Sequence, residues 1–185
     1  MKFLLILLFL SQSFPAECQI FVSKKYEDSV NNSEKNHIGE AFRSFNVEDI
    51  NARHFTNEEL NGKITLINFW FESCQPCQAE FGALNNIFER FHTKKNFRFI
   101  SFTFDDLSTI NKVIEKYHLK FSVIQISKKE CYRLNCFSGF PTTIIIDKAA
   151  KISFFKSGGN LDSLSAAKDI NDTILPKLIE MLREN

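Results

Sequence analysis

Residues 63–80 have the sequence Lys-Ile-Thr-Leu-Ile-Asn-Phe-Trp-Phe-Glu-Ser-Cys-Gln-Pro-Cys-Gln-Ala-Glu, which joins an apolar run to a pair of cysteines. Its apolar run from Ile64 to Phe71 predicts a central β-strand that is covered on both faces. An amphipathic helix is predicted to begin near Pro76, because the first turn of a helix leaves the missing N–H of proline without consequence. Two thiols, Cys74 and Cys77, therefore lie where a buried strand gives way to a helix.

The spacing of Cys74 and Cys77 allows them to close a small disulfide ring. The first thiol lies at the predicted helix N-terminus, where free N–H groups and the helix dipole stabilise a thiolate. A Cys-x-x-Cys motif between a strand and a helix predicts redox chemistry. Zinc sites use the same spacing, so the motif by itself leaves metal binding open.

The composition is that of one globular domain. The chain has 185 residues, of which 44% are hydrophobic and 24% are charged, enough for a single domain with a proper core. The 21 Phe and 6 Gly exclude a fibrous or low-complexity chain. The formal net charge of +1 predicts no attraction to nucleic acid or anionic lipid.

The first residues predict a secretory signal peptide over 1–16, in which Lys2 precedes an apolar run and Ala16 ends a stretch suited to cleavage. A buried first strand is the alternative. Export to the periplasm or cell envelope would place the thiols where disulfides persist. Cys18 raises the possibility of a lipoprotein, although Glu17 stands where a small residue is usual. Residues 17–38 are predicted to be a flexible lead-in to a domain over 39–185.

The hydrophobic pattern predicts an α/β domain. A β-hairpin is expected from residues 41–47 and 51–56, followed by a short helical turn at 57–60. Strands and helices then alternate to about residue 134, and a strand at 142–146, a strand at 151–156 and a helix over 161–184, broken early, complete the chain. This order predicts a central mixed β-sheet flanked by helices, with an N-terminal β-hairpin extension.

Two segments together resemble the thioredoxin superfamily, and most closely its exported TlpA/ResA-like thiol–disulfide oxidoreductases. Residues 68–80 are similar to the active-site segment of that branch. The segment Gly139-Phe-Pro-Thr-Thr-Ile-Ile-Ile-Asp147 resembles its second hallmark, a loop with a cis proline before a strand. The resemblance implies a thioredoxin-like fold over 39–185.

The resemblance also implies roles for residues at the two motifs. Cys74 would be the exposed nucleophile and Cys77 the resolving thiol. Pro141 would be cis and face the dithiol, which is inexpensive for an X–Pro bond. The backbone of Phe140 would pair with an extended substrate, and the predicted substrate-binding set also includes Trp70, Gln75 and Pro76.

Glu80 is the predicted proton acceptor. Many thioredoxins have a buried Asp at the position of Asn68, which cannot accept a proton here. In the TlpA/ResA-like branch a Glu at the position of Glu80 is the candidate, since a partly desolvated carboxyl has a raised pKa. A solvated helix charge is the alternative. The family usually has Trp immediately before the first Cys, and its replacement by Ser73 removes a flat apolar wall beside the dithiol.

Cys131 and Cys136 precede the proline loop. We expect free, partly buried thiols, because a five-residue offset on a regular helix points the two side chains poorly at each other. A second disulfide, a redox relay and a zinc site shared with the dithiol are the alternatives. The four histidines show no ligand spacing and are expected to be structural or on the surface: His37, His54, His92 and His118.

These features predict an exported oxidoreductase that exchanges the Cys74–Cys77 pair with thiol or disulfide partner proteins. The resemblance favours a reductant that a membrane or periplasmic electron donor must re-reduce. We expect a monomer that needs no metal or organic cofactor. The alternatives are a metal-binding or metallochaperone module using the same thiols, a peroxiredoxin-like antioxidant enzyme, and an inactive interaction domain with a structural disulfide.

Overall fold

The computed structural model describes residues 36–183. The strands of this part of the chain are β1 (Asn46–Glu48), β2 (His54–Thr56), β3 (Ile64–Trp70), β4 (Phe97–Thr103), β5 (Ser122–Gln125), β6 (Thr142–Ile146) and β7 (Ile152–Ser157). The α-helices are α1 (Gln75–Phe91), α2 (Leu107–Tyr117), α3 (Lys128–Leu134) and α4 (Ser163–Arg183). A single 3-10 turn, Asn57–Leu60, precedes β3.

A mixed sheet of five strands has the order β5-β4-β3-β6-β7. Strands β3, β4 and β5 run parallel, whereas β6 pairs antiparallel with both β3 and β7. Strands β1 and β2 form a separate antiparallel hairpin. The predicted fold class, a mixed sheet flanked by helices with an N-terminal hairpin, is therefore confirmed.

Every residue of β3 is buried, because both faces of the sheet are covered. Successive side chains of a strand point to opposite faces, so β3 contributes to two cores. Leu66 packs on the face covered by α1, α2 and α4, in one cluster with Leu84. Ile67 packs on the other face, with Phe45 of the N-terminal segment and Leu134 of α3.

The hairpin strands are shorter than predicted. Within residues 41–47, β1 begins only at Asn46, and Ala41 instead forms an isolated bridge with Lys151 beside β7. The N–H of Phe42 also bonds the carbonyl of Ala150, at 2.9 Å. The start of this segment therefore forms its backbone hydrogen bonds with the main sheet rather than with β2.

The prediction of an early break in the last helix is wrong. The α4 helix runs without interruption over Ser163–Arg183, although Pro176 lies inside it. Proline removes one helical hydrogen bond, but Ile174 and Leu178 on either side of it are buried in the core. Packing of the buried face outweighs the missing bond.

The predicted signal peptide at 1–16, Cys18, and the predicted lead-in up to residue 35 lie outside the described residues. The domain boundaries therefore stay a prediction. Between residues 36 and 183, no helix combines the length and the apolar character that a membrane span requires.

Candidate functional site

The topology brings the two motifs to one end of the sheet. Strand β3 ends at Trp70, just before the Cys74 segment, and its neighbour β6 begins at Thr142, just after Pro141. Because β3 and β6 are antiparallel, Phe69 pairs with Thr142 and the two motifs meet at the same edge. Strands β4, β5 and β7 also have an end there. We call this the dithiol end.

Cys74 and Cys77 are joined by a disulfide at the N-terminus of α1, with a Cα–Cα distance of 5.3 Å. Cys74 is the N-cap residue, and its sulfur accepts a hydrogen bond of 3.3 Å from the N–H of Cys77. The side chain of Cys77 is fully buried, whereas 5% of Cys74 remains exposed. Cys74, predicted to be the exposed nucleophile, is therefore buried in the disulfide form, although it keeps slightly more exposed surface than Cys77. Its place at the helix N-terminus, with the N–H of Cys77 directed at its sulfur, is one that stabilises a thiolate.

The peptide bond between Phe140 and Pro141 is cis, the conformation that the family resemblance implies. The N–H of Gly158 donates to the carbonyl of Pro141 at 2.7 Å. The hydroxyl of Thr142 donates to the carbonyl of Gly139 at 2.6 Å. The loop is therefore held against the end of β7 as well as within itself.

Glu80 lies on α1, three residues after Cys77, and only 3% of it is exposed. Its Oε2 atom has no hydrogen-bond partner within residues 36–183. Burial raises the pKa of the Glu80 carboxyl to about 8, opposed by the charge of Lys156 and assisted by that of Asp169. This environment rejects the alternative of a solvated helix charge, and a carboxyl that titrates near neutral pH suits proton exchange.

A row of polar residues crosses the sheet on the helix-covered face. Ser101, Asn68, Thr143 and Lys156 are consecutive neighbours in the strand register. The Asn68 amide donates to the Thr143 hydroxyl at 3.1 Å, and both side chains are buried. At the edge of the sheet Lys156 forms an ion pair with Asp169 of α4. The two charges that act on Glu80 are thus fixed to each other.

Trp70 does not lie where a substrate contact requires it. Its side chain is fully buried, packs edge-on against Phe81 at 5.3 Å, and donates from Nε1 to the Ser101 hydroxyl at 2.5 Å. The predicted substrate-binding role of Trp70 is therefore withdrawn, because a core side chain cannot touch an extended peptide. Gln75 is exposed and Pro76 is half-buried, so substrate roles for them, and for the Phe140 backbone, stay predictions.

Four aromatic rings meet at the dithiol end, a grouping that the sequence does not predict. Phe71 stacks on Phe104 with a centroid distance of 5.4 Å. Phe140 contacts both of these rings edge-on, at 5.2 and 5.8 Å, and Tyr132 at 5.4 Å. We call Phe71, Phe104, Tyr132 and Phe140 the ring cluster. Its members come from four separate segments, so only the fold brings them together.

Cys131 and Cys136 are free thiols, as expected, and the alternative of a second disulfide is wrong. Cys131 is fully buried on α3, and burial, with a contribution from Asp105, raises its pKa to about 12. Burial also raises the pKa of the half-buried Cys136. Within residues 36–183, no three or more His, Cys, Asp or Glu side chains are placed to hold a metal ion.

Comparison with known proteins agrees with this geometry. Residues 38–155 match the AhpC/TSA family. The thiol-disulfide oxidoreductase ResA of Bacillus cereus is 26% identical over 128 residues, which are 69% of this chain and 73% of that protein.

Solved structures share the fold. A Chlorobium tepidum protein described as thiol:disulfide interchange protein DsbE superposes with a TM-score of 0.65 at 20% identity, over 76% of this chain and 97% of that one. The thioredoxin domain of a thiol-disulfide oxidoreductase from Bacteroides vulgatus gives a TM-score of 0.61 at 22% identity, over 73% and 96%.

Proposed function

We propose, from the premise that this chain belongs to the AhpC/TSA family, that it is a thiol–disulfide oxidoreductase acting on partner proteins through Cys74 and Cys77. One observation carries the proposal: the two cysteines are bonded at the N-terminus of α1, at the same end of the sheet as the Pro141 loop. A helix N-terminus lowers the pKa of a thiol. More of the thiol is then present as the nucleophilic thiolate, and its sulfur is also a better leaving group.

The reductive direction proceeds in two exchange steps. The Cys74 thiolate attacks one sulfur of the partner disulfide, forming a Cys74–partner bond while the other partner sulfur leaves as a thiolate. The Cys77 thiol then loses its proton and attacks the Cys74 sulfur, releasing the second partner thiolate. The partner gains two electrons and two protons, and the Cys74–Cys77 disulfide is the oxidised product.

We infer that the Glu80 carboxylate takes the proton of Cys77 in the second step. Residues three apart lie on the same face of a helix, so Glu80 and Cys77 are neighbours on α1. The raised pKa of Glu80 brings it close to the usual pKa of a thiol, so the proton passes between them at little cost. The same carboxyl returns a proton when the disulfide is reduced again.

We further propose the reductive direction, export to the cell envelope, and monomeric action with a membrane or periplasmic electron donor. The resemblance of residues 68–80 and 139–147 to the TlpA/ResA-like branch favours the direction, and the leader-like residues 1–16 favour the export. No organic cofactor takes part in this scheme, because the electrons pass between sulfur atoms only.

The reduction potential of the Cys74–Cys77 pair tests the proposal. It is measured by thiol trapping across a glutathione or dithiothreitol series, with Cys131 and Cys136 replaced by Ser so that only one pair titrates. A value near or below about −220 mV supports a reductant, whereas a value near about −120 mV would indicate an oxidant.

A trapping experiment identifies the partners. A Cys77→Ser variant should accumulate mixed disulfides on Cys74, and a Cys74→Ser variant should not. If the cysteine pair shows no reversible two-electron transition, the proposed oxidoreductase function is rejected. Tightly bound zinc or copper in the purified protein would then favour the metal-binding alternative.

A further inference from the structure

A polar groove lies between the first turn of α1 and one side of α2. Its volume of about 280 Å³ is below the usual range for a cofactor or small-molecule site, but it has room for a side chain. Glu72, two residues before Cys74, and Gln78, directly after Cys77, line it. The groove therefore borders the dithiol, although the exchange of electrons between sulfur atoms does not itself use it.

The groove lies on the flank of the dithiol opposite the Pro141 loop. Strand β4, which leads into α2, is the neighbour of β3 on one side, and β6, which follows Pro141, is its neighbour on the other. The α2 residues that line the groove recur every three or four positions and form one stripe of the helix: Thr109, Lys112, Val113, Lys116 and Tyr117. A polypeptide that extends across the dithiol away from the proline loop meets this stripe.

Hydrogen bonds tie the two sides of the groove together. The side-chain amide of Gln78 donates to the carbonyl of Glu72 and accepts a hydrogen bond of 2.5 Å from the hydroxyl of Tyr117. The N–H of Glu72 donates to the carboxylate of Asp105 at 2.6 Å. The groove is therefore a fixed feature of the fold, which keeps the entropic cost of binding low.

Two exposed lysines of the groove have no carboxylate partner. Lys112 and Lys116 lie one helical turn apart, and neither forms an ion pair within residues 36–183. The Nζ atom of Lys116 lies 4.8 Å from the centroid of the Tyr117 ring, whose hydroxyl bonds Gln78 of α1. Glu72 is the one carboxylate among the described residues that line the groove, so positive charge is in excess there.

The neighbouring carboxylates of Asp105 and Asp106 are bound within the fold. Asp106 caps α2 by accepting a hydrogen bond of 2.8 Å from the N–H of Thr109. Asp105 accepts from the Thr103 hydroxyl as well as from the N–H of Glu72. Neither aspartate lines the groove, and neither pairs with its ammonium groups.

We propose that the groove binds an acidic side chain of a partner polypeptide, an Asp or Glu close in sequence to the reacting cysteine, through Lys112 and Lys116. This inference rests on the proposed function and adds a substrate class to it. A carboxylate has acceptor sites for two ammonium groups at once. The occupant is a polypeptide, because the same molecule must bring a sulfur to Cys74 and a carboxylate to α2.

Paired peptide substrates test the proposal. Each peptide has one internal disulfide and carries Glu or Gln beside both cysteines, before them in one pair of peptides and after them in the other. The rate at which the reduced protein reduces each peptide is divided by its rate with dithiothreitol, which cancels differences in the reactivity of the peptides. We expect about a fivefold preference for Glu in at least one pair at low salt, falling to about twofold or less at about 0.5 M salt.

Substitutions in the groove locate the preference. Lys112→Gln and Lys116→Gln should each lower it to about twofold, whereas Glu72→Gln should raise it by removing the one repelling carboxylate. Lys129→Gln is the matched control, because Lys129 is an exposed residue of α3 that does not line the groove, and its loss changes the net charge equally. This control should keep the wild-type preference.

Equal normalised rates for the Glu and Gln peptides in the wild type, or a preference that survives in both lysine variants, would overturn the proposal. Equal losses from Lys116→Gln and Lys129→Gln would also overturn it, because they would indicate an effect of net charge. A protein that reduces neither the peptides nor the small, uncharged bis(2-hydroxyethyl) disulfide would instead reject the proposed function itself.

Discussion

The carboxyl of Glu80 packs directly against the backbone of Gly159. A methyl group added at Gly159 would lie 2.7 Å from Oε1 of Glu80 and 2.9 Å from Cγ of Pro141. Real Cβ atoms do not approach so closely, so the carboxyl or the proline ring would have to move. One glycine therefore fixes the position of the proposed proton acceptor relative to the proline loop.

Gly159→Ala should displace Glu80 and disturb the exchange reaction. We expect a loss of about 1–3 kcal/mol in the free energy of unfolding, as for other overpacked sites, and a shift in the pH dependence of the exchange rate. Denaturant titration and rate measurements from pH 6 to about 9 would show both.

Gly82→Ala provides the matched control for Gly159. Gly82 lies within α1, and a methyl group there meets nothing within 4 Å. The substitution should stabilise the helix by up to about 1 kcal/mol without moving the pH profile. Identical effects of the two substitutions would disprove the special role of Gly159.

Glu80→Gln should remove a pH dependence of stability. The pKa of Glu80 rises from 4.5 to about 8 on folding, so between these values the folded protein holds a proton that the unfolded chain has lost. The stability from the neutral carboxyl is fully present below pH 4.5 and is lost as the pH rises through about 8. The loss is at most about 1.4 kcal/mol per pH unit.

The measurement compares urea unfolding of oxidised wild type and Glu80→Gln at pH 5 and at about pH 8. The wild type should lose more stability than the variant over this range, because glutamine does not titrate. Parallel losses in the two proteins would mean that Glu80 is ionised in the folded state throughout.

The charges of Lys156 and Asp169 should shift the pKa of Glu80 in opposite directions. Removing the positive charge by Lys156→Met should raise the pKa of Glu80 further, and removing the negative charge by Asp169→Asn should lower it. The two variants should therefore move the pH profile of the exchange rate to opposite sides of the wild type.

Lys168→Met is the control for this pair. Lys168 forms an exposed ion pair with Asp172 on the same helix, and such pairs contribute little. Its removal should leave the pH profile in place. Equal shifts from Lys156→Met and Lys168→Met would indicate a change in overall charge rather than a local effect on Glu80.

Cys131 should be inert in the folded protein. Its burial and raised pKa leave almost no thiolate, so alkylation should be about a hundredfold or more slower than in denaturant. Trypsin cleaves after Arg133 and separates Cys131 from Cys136, so mass spectrometry reports each thiol independently. Rapid native labelling of Cys131 would contradict the described core.

The local parts of the site could be predicted from sequence, because each depends on short-range patterns. The buried strand before Cys74, the helix that Pro76 helps to begin, and the free state of Cys131 and Cys136 all follow from spacing and hydrophobicity. The same kind of pattern predicts the hairpin of β1 and β2, although backbone bonds to the main sheet shorten it.

The features that the sequence does not predict depend on contacts between residues that are far apart in the chain. The predicted substrate contact of Trp70 fails because strand alternation places Trp70 on the same face as Leu66, the face covered by α1, α2 and α4, where it joins the core. The ring cluster unites Phe71 with Phe104 and Tyr132, and no local pattern links these positions. The closeness of Gly159 to Glu80 depends likewise on how β7 ends against α1.

The buried indole has a practical consequence. Trp70 is the single tryptophan in the chain and lies four residues before Cys74. Its indole N–H is hydrogen-bonded to the Ser101 hydroxyl. Disulfides quench excited indoles at short range, whereas pairs of thiols do so less. Trp70, Cys74 and Cys77 belong to one core cluster, so the fluorescence of Trp70 should rise when the disulfide is reduced. Turnover of the dithiol should then be measurable in real time without a label.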